Sequence, residues 1–334
     1  MKRITAWLLV LAVILCGCGQ ETAQLSPAVT LTVAVQEGLS SEAMAGLERF
    51  CQKIDALSDG EMTIQLVPSP DVLDSLDQGC NLIFASNDEI ARADSNFLSY
   101  TSPFYFYDYT HLSQTLNSQA FRDLIAEGTL SLLGALPLAA FYDGNSVILS
   151  SGPLSFDTAD QLEGADLTIS NDPILSDLLR GFGARVRIRE EESKRLEGFC
   201  SGSDPAIECR IASLSALTSL PEGDRFTICQ TFHRARINWI MLSEASRETL
   251  TEKQQAVLIE AAAYALAYND QLVLSAEERA LEAAQALGGD QTSVIFGEFL
   301  EPVQEILQGI ERYNSIWNWE QHLEVQQLSI QNEH

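Results

Sequence analysis

Residues 29–36 (VTLTVAVQ) alternate along the chain and are rich in β-branched side chains, which predicts a strand. Ala43, Leu47, Phe50, Ile54 and Leu57 then recur at helical spacing behind Ser40-Ser41-Glu42, which predicts a capped amphipathic helix. Asp59-Gly60 marks a turn. Residues 62–67 (MTIQLV) predict a second strand, 71–78 a short helix stopped by Gly79, and 80–86 (CNLIFAS) a buried strand. This strand-helix-strand-helix-strand order predicts a parallel sheet with helices on its faces, an α/β fold.

An aromatic cluster follows around Pro103: Phe97, Tyr100, Phe104, Tyr105, Phe106, Tyr107 and Tyr109. Beyond it the pattern predicts a helix over 111–127 and strands over 130–136, 139–142 and 146–149. A second unit opens near Phe156, with a short helix capped by Thr158 and ending at Gly164. It continues with a strand over 166–170 (DLTIS), a helix over 173–181 and a strand over 185–189. Residues 225–232 and 236–242 read as strands returning to the first unit. The last third is helical over 252–268, 269–287 (ending at Gly288-Gly289) and 299–318, with a short strand over 294–296.

The N-terminus changes the picture of where this body sits. Lys2 and Arg3 precede an apolar run over 6–15, too short to span a bilayer and of signal-peptide length. It ends in Leu15-Cys16-Gly17-Cys18-Gly19, which resembles the lipobox of bacterial lipoproteins, with Cys18 as the lipid-modified residue. The expectation is a signal over 1–17 and a flexible tether over 18–30. Roughly 315 residues remain, more than one typical core, so two lobes are expected. The division expected is 31–140 plus about 222–268 for lobe I, and 141–221 plus about 269–334 for lobe II and the connecting helices.

Charge and cysteines narrow the partners. The chain carries 47 acidic and 20 basic residues, and the leader removes two of the basic ones. Such a surface repels nucleic acid and anionic lipid headgroups. Outside the cytoplasm, disulfides are permitted among Cys51, Cys80, Cys200, Cys209 and Cys229. Cys200 with Cys209 is the local pairing, Cys209 with Cys229 its rival, and an odd count leaves a thiol free. No zinc spacing is present, so no metal is expected. Histidines at 111, 233, 322 and 334 form no ligand set. No nucleophile elbow, paired-histidine helix or phosphate loop points to an enzyme or a cofactor.

Several weak matches occur in a telling order. Residues 73–82 (LDSLDQGCNL) form a leucine-rich helix, glycine, strand step. Ser102-Pro103-Phe104-Tyr105-Phe106 precedes His111, Asp160-Gln161-Leu162-Glu163-Gly164 precedes a strand, and Gly183-Ala184 follows. Thr231-Phe232-His233, Trp239 and residues 250–255 (LTEKQQ) come next. In this order the chain resembles the solute receptors of TRAP transporters, the tripartite ATP-independent family, also called family 7 solute-binding proteins. The resemblance spans nearly all of the chain beyond the leader. It implies a two-lobed, periplasmic-binding-protein-like α/β fold with a cleft and a long C-terminal helical region. It also implies capture of a small solute for ion-driven membrane subunits, by a receptor outside the cell membrane. Presentation of a ligand to a membrane sensor and a secreted enzyme are the alternatives.

The family places an arginine on the strand after Gly164 to hold a ligand carboxylate bidentately. Here that position falls on Thr168, which suits a hydroxyl or amide and implies an uncharged or differently held ligand. Thr168 and Tyr142 are expected to face each other across the crevice. Tyr142 precedes Asp143-Gly144 at the lobe crossing; Tyr105 and Tyr107 either wall the cleft or build core. Gln36, Glu37, Ser86 and Asn87 end predicted strands, where open α/β sheets make ligand contacts. Arg210 lies in the family's ligand-proximal segment. Arg185, Arg187 and Arg189 share a strand face; they either supply the charge missing at Thr168 or form a solvated edge balanced by Glu190, Glu191 and Glu192, the reading preferred. His233 is read as structural.

Overall fold

The structure is a computed structural model that describes residues 28–152, 158–217, 225–293 and 297–331. The signal, Cys18, most of the tether and the strand expected over 294–296 lie outside these residues. Ten strands are described: β1 Val29–Gln36, β2 Met62–Ser69, β3 Leu82–Ser86, β4 Ala135–Ser150, β5 Asp166–Ile169, β6 Arg185–Ile188, β7 Ala206–Arg210, β8 Phe226–Gln230, β9 Ala235–Ser243 and β10 Gly289–Ser293.

Lobe I is a sheet of order β2-β1-β3-β9-β4. The pairs β2/β1 and β1/β3 are parallel, and β3/β9 and β9/β4 antiparallel. The two-residue period sorts its side chains. Val33, Val35, Leu82 and Phe84 pack beneath the helix Ser41–Leu57, while Ala34, Ile83 and Ala85 face the aromatic cluster and Trp239. The far half of β4 enters a second sheet, β6-β5-β7-β4-β8-β10, which forms lobe II. Its two faces carry separate cores, one around Leu167, Ile169, Leu175 and Phe299, the other around Val147, Ile207, Phe226 and Ala284.

A single strand therefore crosses from lobe to lobe where two were expected. Register shifts between Pro137/Ala139 and Tyr142/Asn145 let β4 bend into the second sheet, with Gly144 at φ +95° inside the second shift. Upstream, the apolar residues 130–133 finish the helix Gln119–Leu133, closed by Gly134 at φ +60°. The helix expected over 111–127 is two, Tyr109–Leu116 and Gln119–Leu133. Ser118 caps the second by accepting from Phe121 N, and the Asn117 side chain bridges to Ala140.

The helix Glu252–Ala286 is the second crossing, 35 residues opened by a capping box of Thr251 and Gln254. Its first half packs Leu258, Ala261, Ala262 and Ala265 into lobe I, and its second half packs Ala280 and Ala284 into lobe II. Asn269, Asp270 and Glu277 lie between, buried at the crossing. Gly46 admits this approach, because a Cβ there would lie 2.9 Å from Asn269 Oδ1.

The helices Gly297–Gln308 and Glu311–Ile316 cover lobe II, and the helix Trp319–Gln331 returns to lobe I. There Tyr100 Oη donates to Gln321 Oε1 at 2.8 Å and Tyr105 Oη to the His322 carbonyl at 2.7 Å. Neither disulfide forms: none of the five described cysteines is disulfide-bonded. Cys209 and Cys229 lie on opposite sides of β4, opposite Val147 and Ile148. Two strand spacings, about 9.5 Å, exceed the roughly 7 Å that a disulfide tolerates. Among the described residues no helix is long and apolar enough to cross a membrane.

Candidate functional site

The two lobes enclose a cleft of about 710 Å³. Strand ends and helix starts open onto it, as the chain order requires in an open α/β sheet. Gln36 ends β1 and Ser86 ends β3, and Gln36 Oε1 accepts from Ser86 N at 2.7 Å. Ser40 caps the helix Ser41–Leu57 by accepting from Ala43 N at 3.0 Å. Asp172, in lobe II, caps the helix Pro173–Gly181 by accepting from Leu175 N at 3.0 Å. Both helices thus turn their partially positive ends toward the cleft.

The sequence-predicted residues separate into two sets. Gln36, Ser86, Asn87 and Arg210 line the cleft; Glu37, Thr168 and Tyr142 do not. Asn87 is buried and fully engaged, donating to Phe97 O at 2.9 Å and Thr101 Oγ1 at 2.8 Å and accepting from Trp239 Nε1 at 2.9 Å. Glu37 is exposed past the end of β1.

Tyr142 is buried beneath the crossing, with its hydroxyl on Glu277 at 3.0 Å. Burial beside that carboxylate drives the phenol pKa well up. Thr168 is buried on the face of β5 opposite Leu167 and Ile169, and it donates to Asp204 Oδ1 at 3.0 Å. The two do not face each other across the crevice. Tyr105 builds core, and Tyr107 stacks on His111 with ring centroids 4.1 Å apart.

The edge arginines find other partners than Glu190, Glu191 and Glu192. Arg185 forks onto Asp166 at 2.7 and 2.8 Å, and Arg187 and Arg189 both hold Asp204. His233 is fully buried, with Nδ1 against Thr231 Oγ1. Desolvation lowers its pKa to about 4, against the opposing pull of Glu208.

Among the cleft-lining side chains outside the predicted site are Arg234, Arg236 and Asn238. Their signal is the stretch Arg234-Ala235-Arg236-Ile237-Asn238, polar at every second position inside an otherwise apolar strand, so one face of β9 carries the charge. Arg234 donates to Ser170 Oγ at 2.8 Å and pairs with Asp172 at 3.3 Å. Arg210 Nη2 donates to Asp143 O at 3.0 Å. Arg236 makes no ion pair among the described residues, and its Nη1 is buried without a hydrogen-bond partner, as is Asn238 Nδ2. Desolvation, then the neighbouring Arg210 and Arg234, lower the Arg236 pKa to about 10, so it stays a cation at neutral pH.

Two sheets joined by the crossing strand β4 and a long helix, with a polar cleft between, define a two-lobed α/β fold. Searched by sequence, the chain matches no family model and no curated protein. Solved structures match it over most of both chains. A TRAP periplasmic solute-binding protein from Rhodobacter sphaeroides, in an apo open structure, superposes with a TM-score of 0.76 at 17% identity, over 91% of this chain and 97% of that one. One from Escherichia fergusonii, also apo and open, gives 0.72 at 19%, over 90% and 99%. One from Sulfitobacter sp. NAS-14.1 with bound β-D-galacturonate gives 0.61 at 14%, over 90% and 99%. The chain has the fold of the TRAP periplasmic solute-binding proteins.

Proposed function

We propose that this protein is an extracytoplasmic receptor that captures a small solute in the interlobe cleft for the membrane subunits of a TRAP-type transporter. The observation that carries the reading is the cleft itself. It is a cavity of about 710 Å³, within the size range of small-molecule sites, placed where two lobes hinge and lined by polar groups from both. Structures of this fold hold β-D-galacturonate, 3-deoxy-D-manno-oct-2-ulosonic acid and sn-glycerol-3-phosphate.

The likeness is greater to the apo open structures, at 0.72 and 0.76, than to these ligand-bound ones, at 0.61 to 0.66. That supports reading the present arrangement as the open state. Gln36, Ser86 and Arg210 are proposed as solute-facing positions, with Asn87 supporting the wall beneath them. Lipidation of Cys18 would tether the receptor to the membrane, and fatty-acid labelling of wild type against Cys18→Ala tests it.

A receptor of this kind closes on its solute. The test is a thermal-shift screen of the chain from residue 28 against sugars, organic acids and amino acids, followed by small-angle scattering with each hit. A hit raises the melting point, because it binds only the folded state, and reduces the radius of gyration. A solute that stabilises without compaction counts against a hinged receptor.

A further inference from the structure

The cleft contains a cation that no carboxylate of the described residues reaches as an ion pair, although Glu208 and Glu192 act on it from farther off. Arg234 is held by Ser170 and Asp172, and Arg210 by the main chain of Asp143. Arg236, close enough to both to feel their charge, forms no ion pair among the described residues and buries Nη1 without a partner. Two residues on, along the same face of β9, Asn238 is 2% exposed and also buries its donor, Nδ2, without a partner. Asn238 sits opposite Ser86 in the β3/β9 register, at the strand end that opens onto the cleft.

An unpaired guanidinium beside an unpaired amide donor costs stability, since buried charge and buried N–H groups are normally matched. A fold that retains both on one wall of its ligand cavity keeps them for a group that arrives later. The two unpartnered atoms, Nη1 and Nδ2, are both donors, so that group presents an acceptor, and beside a cation without an ion pair it is an anion.

We infer that Arg236 and Asn238, on β9, form the point at which this cleft holds an anionic group of its solute. The inference rests on the receptor reading above. It moves the expected charge contact from the β5 strand, where Thr168 is committed to Asp204, to β9 at the hinge.

The test uses matched pairs: D-galacturonate with D-galactose, D-gluconate with D-glucitol, and glycerol-3-phosphate with glycerol. Each is titrated into the wild type, Arg236→Met and Asn238→Asp, with melting point as readout. A charged member is expected to stabilise the wild type while its neutral twin does not, and Arg236→Met weakens that affinity by about ten- to a hundredfold. Which charged member binds separates carboxylate from phosphate.

Without any solute, Arg236→Met and Asn238→Asp should both melt at or above the wild type. The first removes the unpaired charge and the second supplies its counter-ion. Lower melting of both empty variants would make Arg236 part of the scaffold and overturn the inference. Equal binding of neutral twins, or full anion affinity in Arg236→Met, overturns it too and leaves the receptor reading standing. A panel in which nothing shifts the wild type counts against the receptor reading itself.

Discussion

Glu277, on the long helix, accepts the main-chain N–H of Asn145 at 2.6 Å, at the point where β4 leaves one lobe for the other. The same carboxylate accepts from Tyr142 Oη at 3.0 Å, so it spans the bulge that bends the strand. Gly144 lies between the two bonds, and a Cβ there would come 3.2 Å from Glu277 Oε1. Glu277→Ala leaves a buried amide and a buried phenol unpaired, which should cost about 2–4 kcal/mol. Glu277→Gln keeps an acceptor for Asn145 and removes a carboxylate whose pKa burial has already raised, so its loss should stay within about 1 kcal/mol. Urea unfolding of the two variants checks the contrast. Equal losses would mean that charge, not hydrogen bonding, secures the bulge.

A chain of three residues ties the lobes at the mouth of the cleft. Ser40, the cap of a lobe I helix, donates to the Asp143 carboxylate; Asp143 sits on the crossing; Arg210, ending β7 of lobe II, donates to its carbonyl at 3.0 Å. Asp143→Ala removes the Ser40 bond and the 4.0 Å ion pair to Arg210, and leaves the carbonyl in place. The expected result is a wider spread of interlobe distances in the empty protein, read by spin labels on exposed sites of each lobe. An unchanged distribution would show that β4 and the long helix alone set the angle.

Much of this fold was legible because its elements obey simple periods. The first three strands and the helix Ser41–Leu57 follow alternation and 3.6-residue spacing closely. The single crossing strand was not, because Asp143-Gly144 interrupts the apolar pattern between 139–142 and 146–149, where the chain makes only a bulge. The site was half legible for a related reason. Gln36 and Ser86 follow from strand ends, a rule of topology. Thr168 was placed from one motif, and a strand side chain is turned to one face or the other by its neighbours, here toward Asp204. Arg236 and Asn238 were in plain view as a polar alternation, but only the paired sheets show that this face of β9 borders a cavity rather than bulk water.

Acid should weaken the protein through its buried histidines. His322 packs against Tyr105, Trp317 and Trp319, and desolvation lowers its pKa to about 4; His233 falls to about 4 for the same primary reason. A depressed histidine contributes stability that is complete above its unfolded value of about 6.5. That stability is lost as the pH falls through the folded value, because the unfolded chain takes up the proton first. The window is therefore pH 6.5 to 4, worth on the order of 3 kcal/mol for His322. Asp270, raised to about 6 chiefly by burial, works in the opposite direction over about pH 4 to 6. Chemical unfolding of wild type and His322→Gln across that range isolates the histidine: the difference between them should narrow as the pH falls. A constant difference would show that His322 does not titrate there.

Asp204 has no exposed surface and gathers Thr168, Arg187 and Arg189 onto its two oxygens. Gly198 makes room for it, since a Cβ there would overlap the carboxylate. Removing the acceptor leaves buried Thr168 Oγ1 and two partly exposed guanidinium groups without their partner, and Asp204→Ala should cost about 1–3 kcal/mol. Thr168→Ala deletes one neutral donor and leaves both arginines in place, so about 1 kcal/mol is expected. The cluster stands on the face of lobe II away from the cleft lining, so neither change should alter solute affinity by more than about twofold once folded protein is compared with folded protein. Denaturant unfolding gives the first pair of numbers and solute titration the second. An affinity lost in Thr168→Ala at full stability would return the binding contact to β5, where the family places its arginine.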